Sequence, residues 1–231
     1  MSLDPNQFAK RIGLTFNDKD LLKQAFIHRS YLNEHRDVTL PHNERLEFLG
    51  DAVLELVVTD FLYKRYSTKP EGELTALRAA LVNTNSLSDV ATELGLNDYL
   101  LLSRGEAKDT GRARQYILAN TFESVVGAIY LDQGYEVAAK FIADNLFNKT
   151  DKIVEGELWQ DSKSYFQEKA QEHFSVTPAY QVLAEVGPDH NKKFTVGLFI
   201  GDKQVTTGEG HSKQEAEQDA AEKGLKEKGW D

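Results

Sequence analysis

Four carboxylates recur at helical spacing in the largely apolar segment from Asn43 to Tyr66. Their intervals are three, four and four residues, and they are Glu44, Glu47, Asp51 and Glu55. At roughly 100° per residue, the four side chains fall within about 80° of one another on a helix. A helix that is apolar over most of its circumference is normally buried. The pattern therefore predicts one acidic stripe on an otherwise buried helix.

Such an acidic stripe needs a partner of opposite charge. Like charges at this spacing repel one another, and partial burial adds several kcal/mol to the cost of each unless it is neutralised. A cation bound by oxygen atoms alone is typically Mg²⁺ or Mn²⁺ rather than Zn²⁺. The alternative is a stripe that faces solvent and is paired with Lys or Arg. Spacing alone leaves both interpretations open.

A second apolar segment, Ile117 to Asp132, favours the metal-binding interpretation. Its polar residues Asn120 and Glu123 lie on one helical face, three residues apart. If the two helices cross, Gly50 and Gly127 permit a close approach. The predicted ligands of one divalent ion are then Glu47, Asp51, Asn120 and Glu123. Divalent ions held by carboxylates activate water and stabilise developing charge in phosphodiester hydrolysis.

Helix-period segments dominate the first part of the chain, to about residue 148. The expected helices are Asp18 to Asn33, Asn43 to Tyr66, Leu74 to Leu94, Arg114 to Leu131 and Tyr135 to Phe147. Asp18 and Asn43 suit helix N-caps, and Pro70-Glu71-Gly72 is typical of a loop. Residues 149–160 are polar, and we interpret them as a linker that is helical in part.

Residues 161–231 change to a mixed pattern. A helix is expected from Ser162 to Phe174, followed by alternating strands at Tyr180 to Val186, Phe194 to Ile200 and Lys203 to Thr207. The last helix, Ser212 to Lys226, opens with a capping box of Ser212 and Glu215. The fold class is therefore mainly α: an all-helical domain followed by a small α+β domain in the order α-β-β-β-α.

Composition limits the kinds of metal site, cellular compartment and binding partner that we expect. No Cys is present, so disulfides and thiolate metal sites are excluded. No segment resembles a signal peptide or reaches the roughly 18 apolar residues of a membrane span, so we expect a cytoplasmic protein without membrane contact. The net charge of −10 argues against nucleic-acid binding. A local basic patch and carboxylate-bound metal ions can offset that acidity, with binding that weakens steeply as salt rises.

The chain resembles the ribonuclease III family. The likeness is carried by NERLEFLGDAVL at Asn43 to Leu54, by HRSYLNE at His28 to Glu34, by EGELTALRAALVNTNSL at Glu71 to Leu87, and by ILANTFESVVGAIYLD at Ile117 to Asp132. It implies a Mg²⁺-dependent homodimer that cuts both strands of double-stranded RNA, leaves staggered ends with 5′-phosphates, and processes ribosomal and other precursors. Carried over by position, it assigns catalysis and metal binding to Glu47, Asp51 and Glu123, with Glu44 engaging RNA across the dimer.

One position departs from the family pattern. The family usually has Asp where this chain has Asn120, whose amide oxygen can bind Mg²⁺ but brings no negative charge. Three explanations remain: a natural variant that cuts, a natural variant that has lost cutting, and an engineered substitution that traps substrate. The alternative function is therefore a double-stranded-RNA-binding protein that does not cut.

Three segments stand out in the second part of the chain: DSKSYFQEKAQ, GPDHNKKF and GEGHSKQEAEQDAA. Through them residues 161 to 228 resemble a double-stranded-RNA-binding domain. Such a domain reads the wide minor groove of A-form RNA and the phosphates between grooves. The residues expected to contact RNA are Ser164, Gln167 and Glu168 on the first helix, His190 in the loop between two strands, and Ser212 and Lys213 at the start of the last helix. Gln214 replaces a second Lys that is frequent in the family, and Lys192 and Lys193 offset that loss in part.

Overall fold

The computed structural model describes residues 3–155, 162–188 and 192–230. It divides into two compact units, Met1–Trp159 and Gln160–Asp231. No helix within the described ranges is long and apolar enough to cross a membrane.

The first unit consists of helices joined by short loops, with 3₁₀ turns at Leu96–Tyr99, Glu106–Lys108 and Phe147–Lys149. The α-helices are α1 (Pro5–Arg11), α2 (Lys19–Ala25), α3 (Arg29–Glu34), α4 (Glu44–Arg65), α5 (Glu71–Val82), α6 (Thr84–Glu93), α7 (Arg112–Gln133), α8 (Tyr135–Leu146) and α9 (Thr150–Glu155). Their apolar faces share one core, in which Phe8, Leu54, Phe122 and Ile142 are fully buried.

Two predicted helices are each broken into two. The segment from Asp18 to Asn33 forms α2 and α3, because Ile27 leaves the helix to bridge Leu101. The segment from Leu74 to Leu94 forms α5 and α6, which separate where Asn83 adopts an extended backbone and accepts a hydrogen bond from the Ser86 amide at 2.9 Å.

Helix ends also differ in part from the prediction. Asp18 caps α2 as expected, accepting a hydrogen bond from the Asp20 amide at 2.9 Å. The loop prediction for Pro70-Glu71-Gly72 is wrong for its last two residues, because α5 already begins at Glu71.

The predicted linker, residues 149–160, contains helix α9. Thr150 is buried, and the Asp151 carboxylate pairs with the Arg65 guanidinium at the end of α4. The first half of the predicted linker therefore packs onto the helical unit, and residues 156–160 lie outside the described ranges.

The second unit follows the predicted order, and the predicted fold class is confirmed. Its elements are α10 (Ser162–Phe174), β1 (Ala179–Val186), β2 (Lys193–Ile200), β3 (Lys203–Gly210) and α11 (Lys213–Lys228). The three strands form an antiparallel sheet in the order β1-β2-β3. Val196 and Leu198 of β2 are fully buried, as their alternation predicts, and Leu198 shares a core with Phe166 of α10 and Leu225 of α11.

Ser212 and Glu215 cap the start of α11, but Glu215 accepts from a different amide than the capping box predicts. The Ser212 hydroxyl accepts a hydrogen bond from the Glu215 amide at 3.1 Å, as a capping box requires. The Glu215 carboxylate, however, accepts from the amide of His211 at 2.8 Å rather than from that of Ser212. At the start of α11, the Glu215 carboxylate of this chain therefore already accepts a backbone hydrogen bond.

Candidate active site

Buried contacts of Asn43 position the first turn of α4. The Asn43 amide donates to the carbonyl of Ile27 at 2.9 Å, and its side-chain amide donates to the carbonyl of Ala25 at 3.3 Å. Asn43 is the N-cap residue of α4, as predicted, but its side chain makes no capping bond to the helix. It instead anchors the helix to α2, which determines where Glu44 and Glu47 lie.

Helices α4 and α7 cross with their backbones in contact. A Cβ atom on Gly50 would overlap the carbonyl oxygen of Glu123 and lie 2.6 Å from its carbonyl carbon. A Cβ atom on Gly127 would overlap the carbonyl oxygen of Leu46. Only glycine fits on both sides of the crossing. The predicted close approach at Gly50 and Gly127 therefore occurs, and it lies beside the predicted acidic residues.

The acidic residues at this crossing influence one another electrostatically. Burial raises the pKa of Glu123 to about 8, and the negative charges of Asp51 and Glu47 add to the increase. Burial also raises the pKa of Glu47, as do the charges of Glu44 and Asp51, while a hydrogen bond from the Asn120 side chain opposes that rise. Five of the predicted site residues thus influence one another electrostatically across two helices.

Asp51 and Glu44 complete the acidic stripe of α4. Burial and the neighbouring Glu55 raise the pKa of Asp51. Glu44 is the only member of the predicted site with a cationic partner among the described residues: its carboxylate lies 3.7 Å from the guanidinium of Arg29 and 3.8 Å from Nδ1 of His42. In the same ranges no Lys or Arg forms an ion pair with the carboxylates at the crossing.

The donor chemistry fits a hard divalent cation. Glu47, Asp51, Asn120 and Glu123 offer only oxygen ligands, and the three acids repel one another without a compensating side chain in the described part of the chain. These four residues are not arranged as a closed coordination shell in this structure. Among the described residues no three Asp, Glu or His side chains converge tightly enough to enclose an ion.

A cleft of about 290 Å³ opens over the ends of the two helices. Glu44, Glu47 and Asn120 line it, whereas Asp51 and Glu123 do not. Other residues that line this cleft are His28, Arg29, Asn43, Tyr116 and Ile117. The structure therefore brings part of the predicted site to an accessible surface and places Glu123 deeper.

Sequence reasoning missed the contribution of α3 to this cleft. We expect from sequence that His28 is a core or dimer-contact residue, but it is half-buried in the cleft wall. Its Nδ1 lies 2.8 Å from the Ser30 hydroxyl and accepts from the Ser30 amide at 3.3 Å, so it caps α3. Burial lowers its pKa. The segment HRSYLNE at His28 to Glu34, which carries part of the family resemblance, was the available signal.

The outer face of α4 departs from the prediction of a buried helix. Phe48 is 81% exposed, Leu56 58% and Tyr63 72%, and Ala52 between them is also exposed. We call these four residues the apolar stripe. At about 100° per residue, it lies directly beside the acidic stripe on the helix surface. A solvent-exposed apolar row of this kind commonly marks an interaction surface.

The predicted RNA-contacting residues of the second unit lie in two places. Ser164, Gln167 and Glu168 line one shallow groove on α10, which Gln171 and Glu172 extend. Ser212 and Lys213 lie at the start of α11, where Ser212 is engaged as the helix cap. His190 lies outside the described residues.

Comparison with known proteins identifies the class. Residues 18–150 match the family described as Ribonuclease-III-like, and residues 162–228 match the double-stranded RNA binding motif. The chain is 45% identical over 223 residues to Ribonuclease 3 of Borreliella afzelii, covering 96% of this chain and 90% of that protein. It is 44% identical to Ribonuclease 3 of Latilactobacillus sakei, covering 96% of each chain.

A solved structure agrees with these matches. The nuclease domain of ribonuclease III from Campylobacter jejuni aligns with a TM-score of 0.54 and 38% identity, covering 60% of this chain and 96% of that one. That Campylobacter jejuni domain is flexible in a region involved in dimer formation. The chain described here belongs to the ribonuclease III family of double-strand-specific endoribonucleases, and it carries that family's RNA-binding module.

Proposed function

We propose that this protein is a magnesium-dependent endonuclease that cuts double-stranded RNA as a homodimer, leaving staggered ends with 5′-phosphates. The observation that carries the proposal is the state of Glu123. It is a largely buried carboxylate whose pKa is raised to about 8 by burial and by two neighbouring acids. Perturbed acids that cluster at a cleft are typical of functional sites.

The residues at the helix crossing have distinct roles in this proposal. Glu47, Asp51, Asn120 and Glu123 would hold the ion through oxygen atoms, with Mn²⁺ as a substitute for Mg²⁺. A divalent ion bound there supplies an activated water and stabilises charge on the phosphate. The Asn120 side chain favours the charged form of Glu47 and so opposes the rise in the pKa of that carboxylate. Glu44, held near Arg29 and His42, lines the entrance where the RNA backbone would arrive.

Asn120 decides between cutting and mere binding. As an amide it contributes one oxygen ligand and one fewer negative charge than an Asp would. Three acids remain around it, which is enough to neutralise a divalent cation. We therefore propose that the chain cuts, with a lower affinity for the ion than an Asp at this position would give.

RNA recognition is assigned to the second unit. The groove on α10 presents hydroxyl, amide and carboxylate groups from Ser164, Gln167 and Glu168, which suit the 2′-hydroxyls and base edges of a minor groove. Lys213 at the start of α11 supplies a cation for the phosphates between two grooves. Few cations on an acidic protein give binding that depends steeply on salt.

The apolar stripe of α4 supports the homodimer. Two copies that pair through Phe48, Leu56 and Tyr63 would bury side chains that otherwise remain in water. Because the acidic stripe is adjacent on the same helix, such a dimer places both cutting sites beside one interface, one for each RNA strand.

The dimer is tested by sedimentation velocity on Phe48→Arg. At a symmetric contact each copy buries the introduced charge, so the cost to association is doubled. This variant should therefore sediment as a monomer where the original chain is a dimer. Leu131→Arg is the matched control, because Leu131 is an exposed apolar residue on α7. If both variants sediment as the original chain does, the apolar stripe is not the interface.

The cutting activity is tested on a long RNA duplex with Mg²⁺ and with a chelator in its place. The original chain should produce short duplexes with 5′-phosphate ends only when Mg²⁺ is present. Glu123→Gln should abolish cleavage. Glu55→Gln should retain it, because Glu55 is an exposed acid on α4 outside the predicted metal ligands. Binding without cleavage by the original chain, with cleavage gained in Asn120→Asp, would assign the chain to the non-cutting class. We also propose that the protein processes ribosomal and other precursors in the cytoplasm, as the family resemblance implies.

A further inference from the structure

Lys213 reaches across one end of the sheet in the second unit. At this end Glu185 of β1 pairs with Phe194 of β2, which pairs in turn with Gly210 of β3. Lys213 begins α11 just beyond β3. Its Nζ lies 5.8 Å from the centre of the Phe194 ring and 3.5 Å from Oε1 of Glu185. The ammonium group is therefore directed toward the opposite edge strand of the sheet.

Glu185 holds a second cation with its other oxygen. Its Oε2 lies 3.7 Å from Nζ of Lys192, the residue that immediately precedes β2. One carboxylate thus bridges ammonium groups that arrive from two separate elements. Both lysines belong to the set that the sequence assigns to RNA phosphates, so the bridging acid occupies the position where a phosphate would lie.

We propose that Glu185 is an internal competitor for RNA phosphates, which lowers the affinity of this domain for duplex RNA and shapes its response to salt. This inference rests on the proposed double-stranded-RNA binding through Lys213. When RNA binds, a phosphate oxygen takes the place of the Glu185 carboxylate beside each ammonium group, and Glu185 is left facing an anion. A neutral residue of the same shape at position 185 removes both the exchange and the repulsion.

The effect has a defined size and salt dependence. Each contact is partly exposed to solvent, and exposed ion pairs are individually weak. Removing one such acid next to two phosphate-binding lysines should tighten binding by about two- to fivefold. Salt screens the repulsion between Glu185 and RNA, so the gain should shrink as ionic strength rises. The logarithm of the affinity of Glu185→Gln should therefore fall more steeply with salt than that of the original chain.

The test compares the full chain with Glu185→Gln in binding to an RNA duplex of about 20 base pairs, longer than the roughly 16 that such a domain covers. A chelator is present to prevent cleavage. Glu222→Gln is the matched control, because it removes the same charge and also breaks an ion pair with a lysine, the 2.8 Å contact between Glu222 and Lys226 on α11. Both substitutions are also made in a Lys213→Ala background. Fluorescence anisotropy at several salt concentrations gives the dissociation constants.

The inference predicts tighter binding for Glu185→Gln, no more than a marginal change for Glu222→Gln, and loss of most of the gain in the Lys213→Ala background. Weaker binding by Glu185→Gln would show that Glu185 positions the lysines, and it would overturn the inference. Equal gains from both Gln variants would reduce the effect to net charge and would also overturn it. If the original chain and every variant fail to bind the duplex, the proposed function itself fails.

Discussion

Replacing Glu123 by Gln should stabilise the metal-free protein at alkaline pH. In the folded chain the pKa of Glu123 is about 8, compared with 4.5 for the unperturbed side chain. Between these two values the folded state binds this proton more tightly than the unfolded state does. The resulting stabilisation is fully present below about pH 4.5 and is lost as the pH rises through 8. Gln keeps the shape of the side chain and has no proton to lose.

The magnitude follows from the shift. A pKa difference of this size corresponds to about 5 kcal/mol in the free energy of unfolding, as an upper limit. Glu123 keeps some contact with solvent, and relaxation around the charge reduces the cost, so we expect roughly 2–4 kcal/mol. At about pH 9 the Glu123→Gln variant should be more stable than the original chain by that amount, and near pH 4 the two should agree.

Urea denaturation followed by far-ultraviolet circular dichroism, with a chelator throughout, measures the difference. Glu55→Gln is the control, since Glu55 is an exposed acid on α4 whose charge raises the pKa of Asp51. Its gain should be a small fraction of that from Glu123→Gln. Equal stability of the Glu123→Gln variant and the original chain at alkaline pH would refute the inference that burial and two neighbouring acids raise the pKa of this carboxylate.

Further predictions concern the helix crossing and its ligands. Gly50→Ala should destabilise the fold by about 1–3 kcal/mol or more, because the added carbon overlaps the Glu123 carbonyl, whereas Gly72→Ala, with open space around it, should be neutral in the same thermal unfolding measurement. Asn120→Asp should lower the melting temperature without metal, because it adds a charge and removes the hydrogen bond donor to Glu47. With saturating Mg²⁺ the order should reverse, and unchanged melting in both conditions would place residue 120 outside the metal site.

Local chemistry made much of the site predictable from sequence. Helical spacing alone places Glu44, Glu47, Asp51 and Glu55 on one face of α4. The pairing of Gly50 with Gly127 was readable because only small residues allow two helix backbones to touch. Asp18 and Ser212 are caps whose side chains bond to the amide that their type predicts.

Other features depend on tertiary contacts that spacing does not encode. The break between α2 and α3 requires Leu101 to bridge Ile27 from a distant loop. Phe48 is apolar, so the sequence predicts burial, and its exposure emerges only when the neighbours of α4 are known. The contact between Lys213 and Glu185 likewise needs the strand order of the sheet.

The break at Asn83, in contrast, was signalled by the polar residues that follow it, which favour helix caps over helix interiors.

Above all, we propose that the acids at the crossing of α4 and α7 bind one divalent cation. Isothermal titration with Mg²⁺ near pH 7, in two buffers of different ionisation heat, tests it directly because it counts the protons that binding releases. Since Glu123 is mostly protonated at that pH, the original chain should release roughly one proton for each ion bound. Glu123→Gln should bind more weakly and release fewer protons, because the residue with the largest rise in pKa is gone. Equal binding by both, without proton release, would contradict the account.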